Sequence, residues 1–315
     1  MSTQAEFQTL KQHLQNVIVG QEALLDKMII ALLTGGHILL EGPPGLAKTT
    51  AVKTLANGVH ASFQRIQFTP DLMPGDVVGS EVLDMNTGAL SFVKGPIFNE
   101  IVLADEINRA PPKVQSALLE AMAEKQVTAG GQTRSLPELF LVMATQNPLE
   151  QSGTYPLPEA QLDRFLLKMK MGYPEPEEEM EVLHRAQKNP PIDELESVMT
   201  LEELRYIQGE VKDVLVDDTI KKYIVEIANR TRIHANVYLG ASPRGSIALM
   251  KACQAYAFLR GRDYVVPDDV QYLAPFVFSH RIIMKSEARY EGITPEEVVE
   301  RVMARIPVPV QRLVR

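Results

Sequence analysis

Residues 42–49 read Gly-Pro-Pro-Gly-Leu-Ala-Lys-Thr, and no other stretch restricts the fold of this chain as tightly. Two glycines and two prolines shape the backbone just before an ammonium and a hydroxyl. The pattern is that of a phosphate-binding loop, G-x-x-x-x-G-K-[ST], with Ala47 in the place of the last glycine. Such a loop turns backbone N–H groups and a helix N-terminus toward phosphate oxygens. Alanine offers the same N–H, without strain where φ is already helical. Ala47 is therefore expected to enter the helix that contains Lys48. On this reading Gly42, Pro43, Pro44, Gly45, Leu46, Ala47, Lys48, Thr49 and Thr50 form a nucleotide cradle. Lys48 would neutralise the β- and γ-phosphates, and Thr49 would place its hydroxyl on Mg²⁺.

The flanking pattern agrees with strand–loop–helix. HILLEG (37–42) is a short apolar run ending in glycine, and similar runs follow at 62–68, 100–106, 139–147 and 164–171. Near-continuous apolar strands separated by helical patterns predict a parallel sheet of five strands with helices on both faces. One such helix starts after Pro111 and Pro112, with Val114, Leu118 and Ala121 at helical spacing. Two segments break the alternation. Residues 74–98 contain two β-like runs around Asn86-Thr87-Gly88. Residues 126–136 read as a hairpin turning at Gly130-Gly131. Near Gly172 the style changes to amphipathic helix. Thr200 with Glu203 and Thr294 with Glu297 read as capping boxes, and Ser242-Pro243 opens a long helix. The expected division is an α/β core, residues 1–172, and a smaller all-α lid, residues 173–315.

Composition narrows the functional classes. The 315 residues suffice for about two domains. No apolar run approaches the ~20 residues of a membrane span, and the polar first residues lack the hydrophobic core of a secretion signal. The lone Cys253 rules out an internal disulfide framework, which fits a cytoplasmic setting. A formal charge of −8 argues against broad nucleic-acid binding. None of the six histidines is paired at metal-ligand spacing. Cys253, with Leu249, Tyr256 and Ala257 at helical spacing, reads as lid core.

Further chemistry lies at strand ends. IVLADE (101–106) closes a buried strand with two acids about 55 residues after the loop. Asp105 is the expected metal carboxylate, and Glu106 is expected to orient or deprotonate an attacking water. Asn147, ending LVMATQN, would sit beside them, because ligands of parallel sheets bind beyond the strands' carboxyl ends. Arg109 either faces a neighbour or only holds a helix.

Together these motifs resemble an AAA+ ATPase, and within that superfamily the MoxR family, over nearly the whole chain. The resemblance implies more. IVGQ (18–21), with Val19 and Gly20, is similar to the segment that contacts adenine. GPPGLAKT is the family's Walker A form, alanine included. LADEINRAPPKVQSALLEAM (103–122) is similar to its Walker B segment, ATQNP to sensor 1, LPEAQLDRF to the arginine-finger segment with Arg164, and GASPRG to sensor 2 with Arg244. Residues 74–98 match the helix-2 insert and 126–136 the pre-sensor-1 hairpin. The family likeness implies Mg-dependent ATP hydrolysis at the interfaces of a homo-oligomer, a hexameric ring, with Arg164 acting in trans. It also implies remodelling or maturation of a protein client, with a von Willebrand factor A-type partner on another chain. The competing readings are a nucleic-acid motor and a magnesium-chelatase-like subunit. The insert and hairpin carry only Lys94 and Arg134 as cations, which is poor phosphate-binding chemistry.

Overall fold

The computed structural model describes residues 3–18, 22–43, 48–83, 85, 88–148, 153–173, 175–186 and 197–309. Two helices lead, α1 (Thr3–Val17) and α2 (Glu22–Thr34), then β1 (His37–Glu41), α3 (Lys48–Gly58) and β2 (Phe63–Gln67). A short helix α4 (Pro74–Val78) introduces a hairpin, β3 (Gly79–Leu83) and β4 (Leu90–Lys94). Next come β5 (Ile101–Asp105), α5 (Pro112–Glu124), a second hairpin of β6 (Gln126–Ala129) and β7 (Gln132–Ser135), and β8 (Leu141–Gln146). The short α6 (Glu159–Leu162), β9 (Phe165–Lys170) and α7 (Pro176–Ala186) complete this part. The remainder is α8 (Leu201–Asp213), α9 (Asp218–Arg232), β10 (Val237–Leu239), α10 (Pro243–Leu259), α11 (Pro267–Phe278), β11 (Ile283–Met284), α12 (Ser286–Tyr290) and α13 (Pro295–Met303).

The expected five-stranded sheet is present, in the order β2-β5-β8-β1-β9 with every pairing parallel. Burial on both faces explains its apolar strands. Ile38, Leu40, Ile101, Leu103, Leu141 and Met143 pack in one layer with α1, α2 and α3. Their alternates Leu39, Val102, Ala104, Val142 and Ala144 pack in the other with α4 and α5. Period-two alternation along each strand sends neighbours to opposite layers. Burying each large aliphatic side chain stabilises the fold by about 1.5–3 kcal/mol.

The helical lid is also present, and its boxes close as expected. Thr200 Oγ1 accepts from Glu203 N, and Thr294 Oγ1 from Glu297 N. The first turn of α7 carries Glu177, Glu178 and Glu179, which suits the helix dipole. The lid is not purely helical, however. β10 and β11 form a small antiparallel ribbon in which Val237 faces Met284. Strands of three and two residues are too short to leave a periodic signal.

The second hairpin turns where the sequence placed it. Gly130 and Gly131 both have positive φ, +58° and +72°, as a tight primed hairpin turn requires. It docks on the insert. Arg134 stacks on Phe92, its guanidinium 3.9 Å from the ring centroid, and the Glu81 carboxylate lies against Gly130. Arg134 also donates to Ala129 O at 2.8 Å and Gln132 Oε1 at 3.0 Å. Lys94 lies 5.4 Å from the Phe98 ring centroid.

Candidate active site

β1 delivers Gly42 to the carboxyl end of the sheet, where Gly42 N donates to Gln146 O at 3.1 Å. Only glycine fits there, because a Cβ would lie 2.7 Å from Met171 O. Lys48 opens α3, with Thr49 and Thr50 beside it in the first turn. The Lys48 ammonium is buried and donates to Gly42 O at 2.9 Å. Desolvation lowers its pKa, opposed by the charges of Asp105 and then Glu106. Of the expected cradle, Pro44, Gly45, Leu46 and Ala47 lie outside the described residues, as do Val19 and Gly20.

Parallel register brings the acids alongside. Gln67 pairs with Asp105 on one side, and Ala104 pairs with Ala144 on the other. The next residue on β8, Thr145, is buried and donates from its hydroxyl to Asp105 Oδ1 at 2.6 Å. Thr145 Oγ1 in turn accepts from Glu106 N at 2.8 Å. Arg65 grips the other oxygen of Asp105, from Nη2 at 2.6 Å and Nε at 3.1 Å.

Glu106 is left-handed, with φ 56° and ψ 49°. For a residue with a Cβ this costs about 1–2 kcal/mol. Such strain persists only where neighbours enforce it, and it clusters at functional sites. The enforcing contacts are the Thr145 hydroxyl on the backbone, and Gln67 Nε2 at 3.0 Å and Arg109 Nη1 at 3.1 Å on the carboxylate. Arg109 thus ties down the acid three residues before it. Asn147 stands one residue beyond β8, braced by Asn108. Asn108 Nδ2 donates to Asn147 O at 3.1 Å, and Asn147 N donates to Asn108 Oδ1 at 3.4 Å.

Sequence reading missed Thr145, Arg65, Gln67 and Asn108. Arg65, Gln67 and Thr145 work through strand register across about 40 residues of chain, Asn108 works from the turn after β5, and only the nearness of Thr145 to a strand end hinted at any of them.

Arg164 and Arg244 lie elsewhere. Arg164 immediately precedes β9, whose first residue, Phe165, pairs with His37 at the start of β1. Arg164 therefore sits at the amino end of the sheet. Gly42 and Lys48 lie at the carboxyl end, and at about 3.3 Å per strand residue that gap exceeds the reach of an arginine. Arg244 joins Arg164 in a cleft of about 290 Å³, whose other cations are Lys125, Lys251 and Arg281. It occupies the second position of α10, where the helix dipole disfavours a cation. Neither the Arg164 nor the Arg244 guanidinium has a hydrogen bond or ion pair to a described residue.

Comparison with known proteins identifies the family. Residues 37–167 match the family described as "ATPase family associated with various cellular activities (AAA)". Residues 229–302 match the AAA lid domain. Uncharacterized protein YeaC of Bacillus subtilis is 54% identical, covering 96% of this chain and 94% of that protein. Chaperone MoxR1 of Mycobacterium tuberculosis is 43% identical, covering 97% and 84% respectively. A crystal structure from Cytophaga hutchinsonii superposes with a TM-score of 0.92 at 41% identity, covering 98% of this chain and 96% of that one. A five-stranded parallel sheet with paired acids at its carboxyl end, a helical lid and these relatives place the chain in the MoxR family of AAA+ ATPases.

Proposed function

We propose that the chain hydrolyses MgATP at the interfaces of a head-to-tail homo-oligomer, a hexameric ring, and uses the energy to remodel or mature a protein client. One observation carries the interface. The residues suited to hold ATP and the two arginines without a partner among the described residues lie at opposite ends of one sheet, so a single chain cannot bring them together. A second copy can. An interface between two different faces of the same chain closes into a ring when its rotation allows.

In this reading residues 42–50 cradle the nucleotide, Lys48 draws in its β- and γ-phosphates, and Val19 and Gly20 contact adenine. Thr49 and Asp105 fit Mg²⁺, which prefers hard oxygen donors and keeps much of its water. Bound with the nucleotide, the ion would neutralise phosphate charge. Glu106 accepts a proton from the attacking water, and its left-handed backbone aims the carboxylate. Asn147 orients that water or the γ-phosphate. Arg164 and Arg244 of the adjacent copy stabilise charge on the transferred phosphoryl group, an effect worth ~10³–10⁵ in rate for such arginines.

The two docked hairpins would carry the work on the client. Leu83, Met85 and Leu90 at the insert's tip are exposed, which suits contact with unfolded or loosely packed protein. A von Willebrand factor A-type chain would be the partner, in a reducing, cytoplasmic setting that suits the buried Cys253 thiol. No described helix is long and apolar enough to cross a membrane. The nucleic-acid alternative loses support, since Arg134 and Lys94 are engaged with aromatic rings.

The test is ATP hydrolysis as protein concentration rises, for wild type and Arg164→Ala. Specific activity that climbs with concentration and collapses in the variant supports the interface. Activity independent of both overturns it.

A further inference from the structure

Three arginines enter the basic cleft, and they differ in a way the family likeness does not address. Arg164 and Arg244 have no described side-chain partner. Arg281, from the lid turn between α11 and β11, has its guanidinium fully occupied, and its side chain is 4% exposed. Its Nε donates to Asp163 Oδ1 at 2.7 Å. Nη2 donates to Asp163 O at 3.2 Å and Phe165 O at 2.7 Å. Nη1 donates to Leu166 O at 3.2 Å and to Val277 O within its own lid. A guanidinium has five N–H donors, and these contacts use all of them. None is left for a ligand.

The acceptors outside the lid share one feature. Asp163, Phe165 and Leu166 bracket Arg164 in sequence. The carbonyls on both sides of Arg164 thus end on one guanidinium belonging to the lid. His280, next to Arg281, sits at the same seam, its Nε2 lying 2.9 Å from Phe165 O and 2.8 Å from Arg281 Nη1, so that it donates to the first or accepts from the second according to its tautomer. Burial lowers the Arg281 pKa, but Asp163, by charge and by hydrogen bond, holds it up, so the guanidinium stays charged.

We infer that Arg281 is a positioning residue for hydrolysis. It clamps the backbone around Arg164 to the lid that carries Arg244, so both arginines reach a neighbouring subunit's nucleotide as one rigid unit. The inference rests on the proposal that Arg164 acts in trans. Charge-stabilising groups act only when preorganised, and displacement of about 1 Å can lower a rate by ~10²-fold. Loosening the clamp would therefore lower kcat without touching the chain's own nucleotide loop.

The experiment is subunit complementation, read as ATPase activity of mixed oligomers. Lys48→Ala chains lack a working loop but keep both arginines. Arg164→Ala chains have the loop and lack one of them. Mixed, they should regain activity at interfaces where both intact halves meet. The test chain is Arg281→Met, with Asp163→Ala as the milder variant if the first does not fold. Asp163 is partly exposed and its loss removes only the ionic arm of the clamp. Each should lower kcat ~10–100-fold alone, with ATP affinity within about twofold of wild type. Mixed with Lys48→Ala chains it should regain activity, and mixed with Arg164→Ala chains it should not. Rescue by Arg164→Ala chains would overturn the inference, because the defect would then lie on the loop side. So would unchanged kcat in both folded variants. Failure of the reference pair, Lys48→Ala with Arg164→Ala, would instead sink the trans reading itself.

Discussion

The hydroxyl of Thr145 holds two acids at once, and replacing it with valine tests how Glu106 is held. Valine keeps the branched shape and removes only the oxygen. Two bonds go: the 2.6 Å donation to Asp105 and the 2.8 Å acceptance from Glu106 N. A bond to a charged group contributes about 1.5–3 kcal/mol, and a part-buried N–H left unpaired costs about 1–3 kcal/mol. Arg65 still pairs with Asp105, so we expect a net loss near the low end, about 2–4 kcal/mol of stability. The catalytic effect is separate. The left-handed conformation at Glu106 is disfavoured by about 1–2 kcal/mol. Once its backbone anchor is gone, Glu106 relaxes and the competent population falls about 5–30-fold. Thr145→Val should therefore lower kcat at saturating MgATP by about tenfold, with ATP affinity nearly unchanged. Thr145→Ser, which keeps the hydroxyl, should remain close to wild type in kcat. Steady-state hydrolysis, fluorescent-nucleotide binding and thermal unfolding read the three quantities. A destabilised Thr145→Val protein with wild-type kcat would refute the reasoning, since Glu106 would then hold its conformation without this anchor.

Other outcomes follow from contacts away from the acids. Lys27 is buried under the lid, its ammonium donating to Tyr272 Oη at 2.6 Å and lying 4.0 Å from the Phe276 ring centroid. Desolvation, opposed by Asp26, depresses its pKa from 10.5 to about 8. A depressed folded-state pKa gives stability that is fully present above the unfolded value and lost as pH falls toward the folded one. Wild type should therefore gain on Lys27→Met by about 3 kcal/mol between pH 8 and 10.5, read by denaturant titration; a flat difference would contradict it. Gly42→Ala forces a Cβ to within 2.7 Å of Met171 O, so it should destabilise the fold by about 1–3 kcal/mol and weaken ATP binding at least tenfold by calorimetry. Arg134→Ala should loosen the contact between the hairpins, speeding chymotryptic cleavage at Phe92 severalfold without altering ATP affinity. Unchanged cleavage would mean that the stacking on Phe92 does not hold them.

What could be read without coordinates was local or periodic. The strands at 37–41 and 101–105 announce themselves as apolar runs, and the boxes at Thr200 and Thr294 span only three residues. α2 gave no amphipathic signal because it is buried nearly all round, from Leu24 to Leu33. Ser242 does precede a helix, yet its hydroxyl caps nothing among the described residues. Glu106 could be named as an acid at a strand end, but not as a left-handed residue. That conformation is imposed by Thr145, 39 residues away. Arg281 was invisible for the same reason at greater range, since Asp163 lies 118 residues before it. Long-range polar partners leave no pattern in a single chain. They exist only once the sheet has set the register and the lid has closed over its amino end.

The docking of one hairpin on the other has a mechanical consequence. A hairpin joined at one point can pivot. One joined at two, through Phe92 on Arg134 and Glu81 on Gly130, resists torsion and behaves as a braced arm. The far end of that arm is not free. β7 passes through a few residues into β8, the strand that ends beside Asp105 and Asn147. A load applied at Leu83 or Leu90 therefore has a short route to the central strand of the sheet, through β7 and residues 136–140. The same covalent route links any shift of β8 along its axis to the arm.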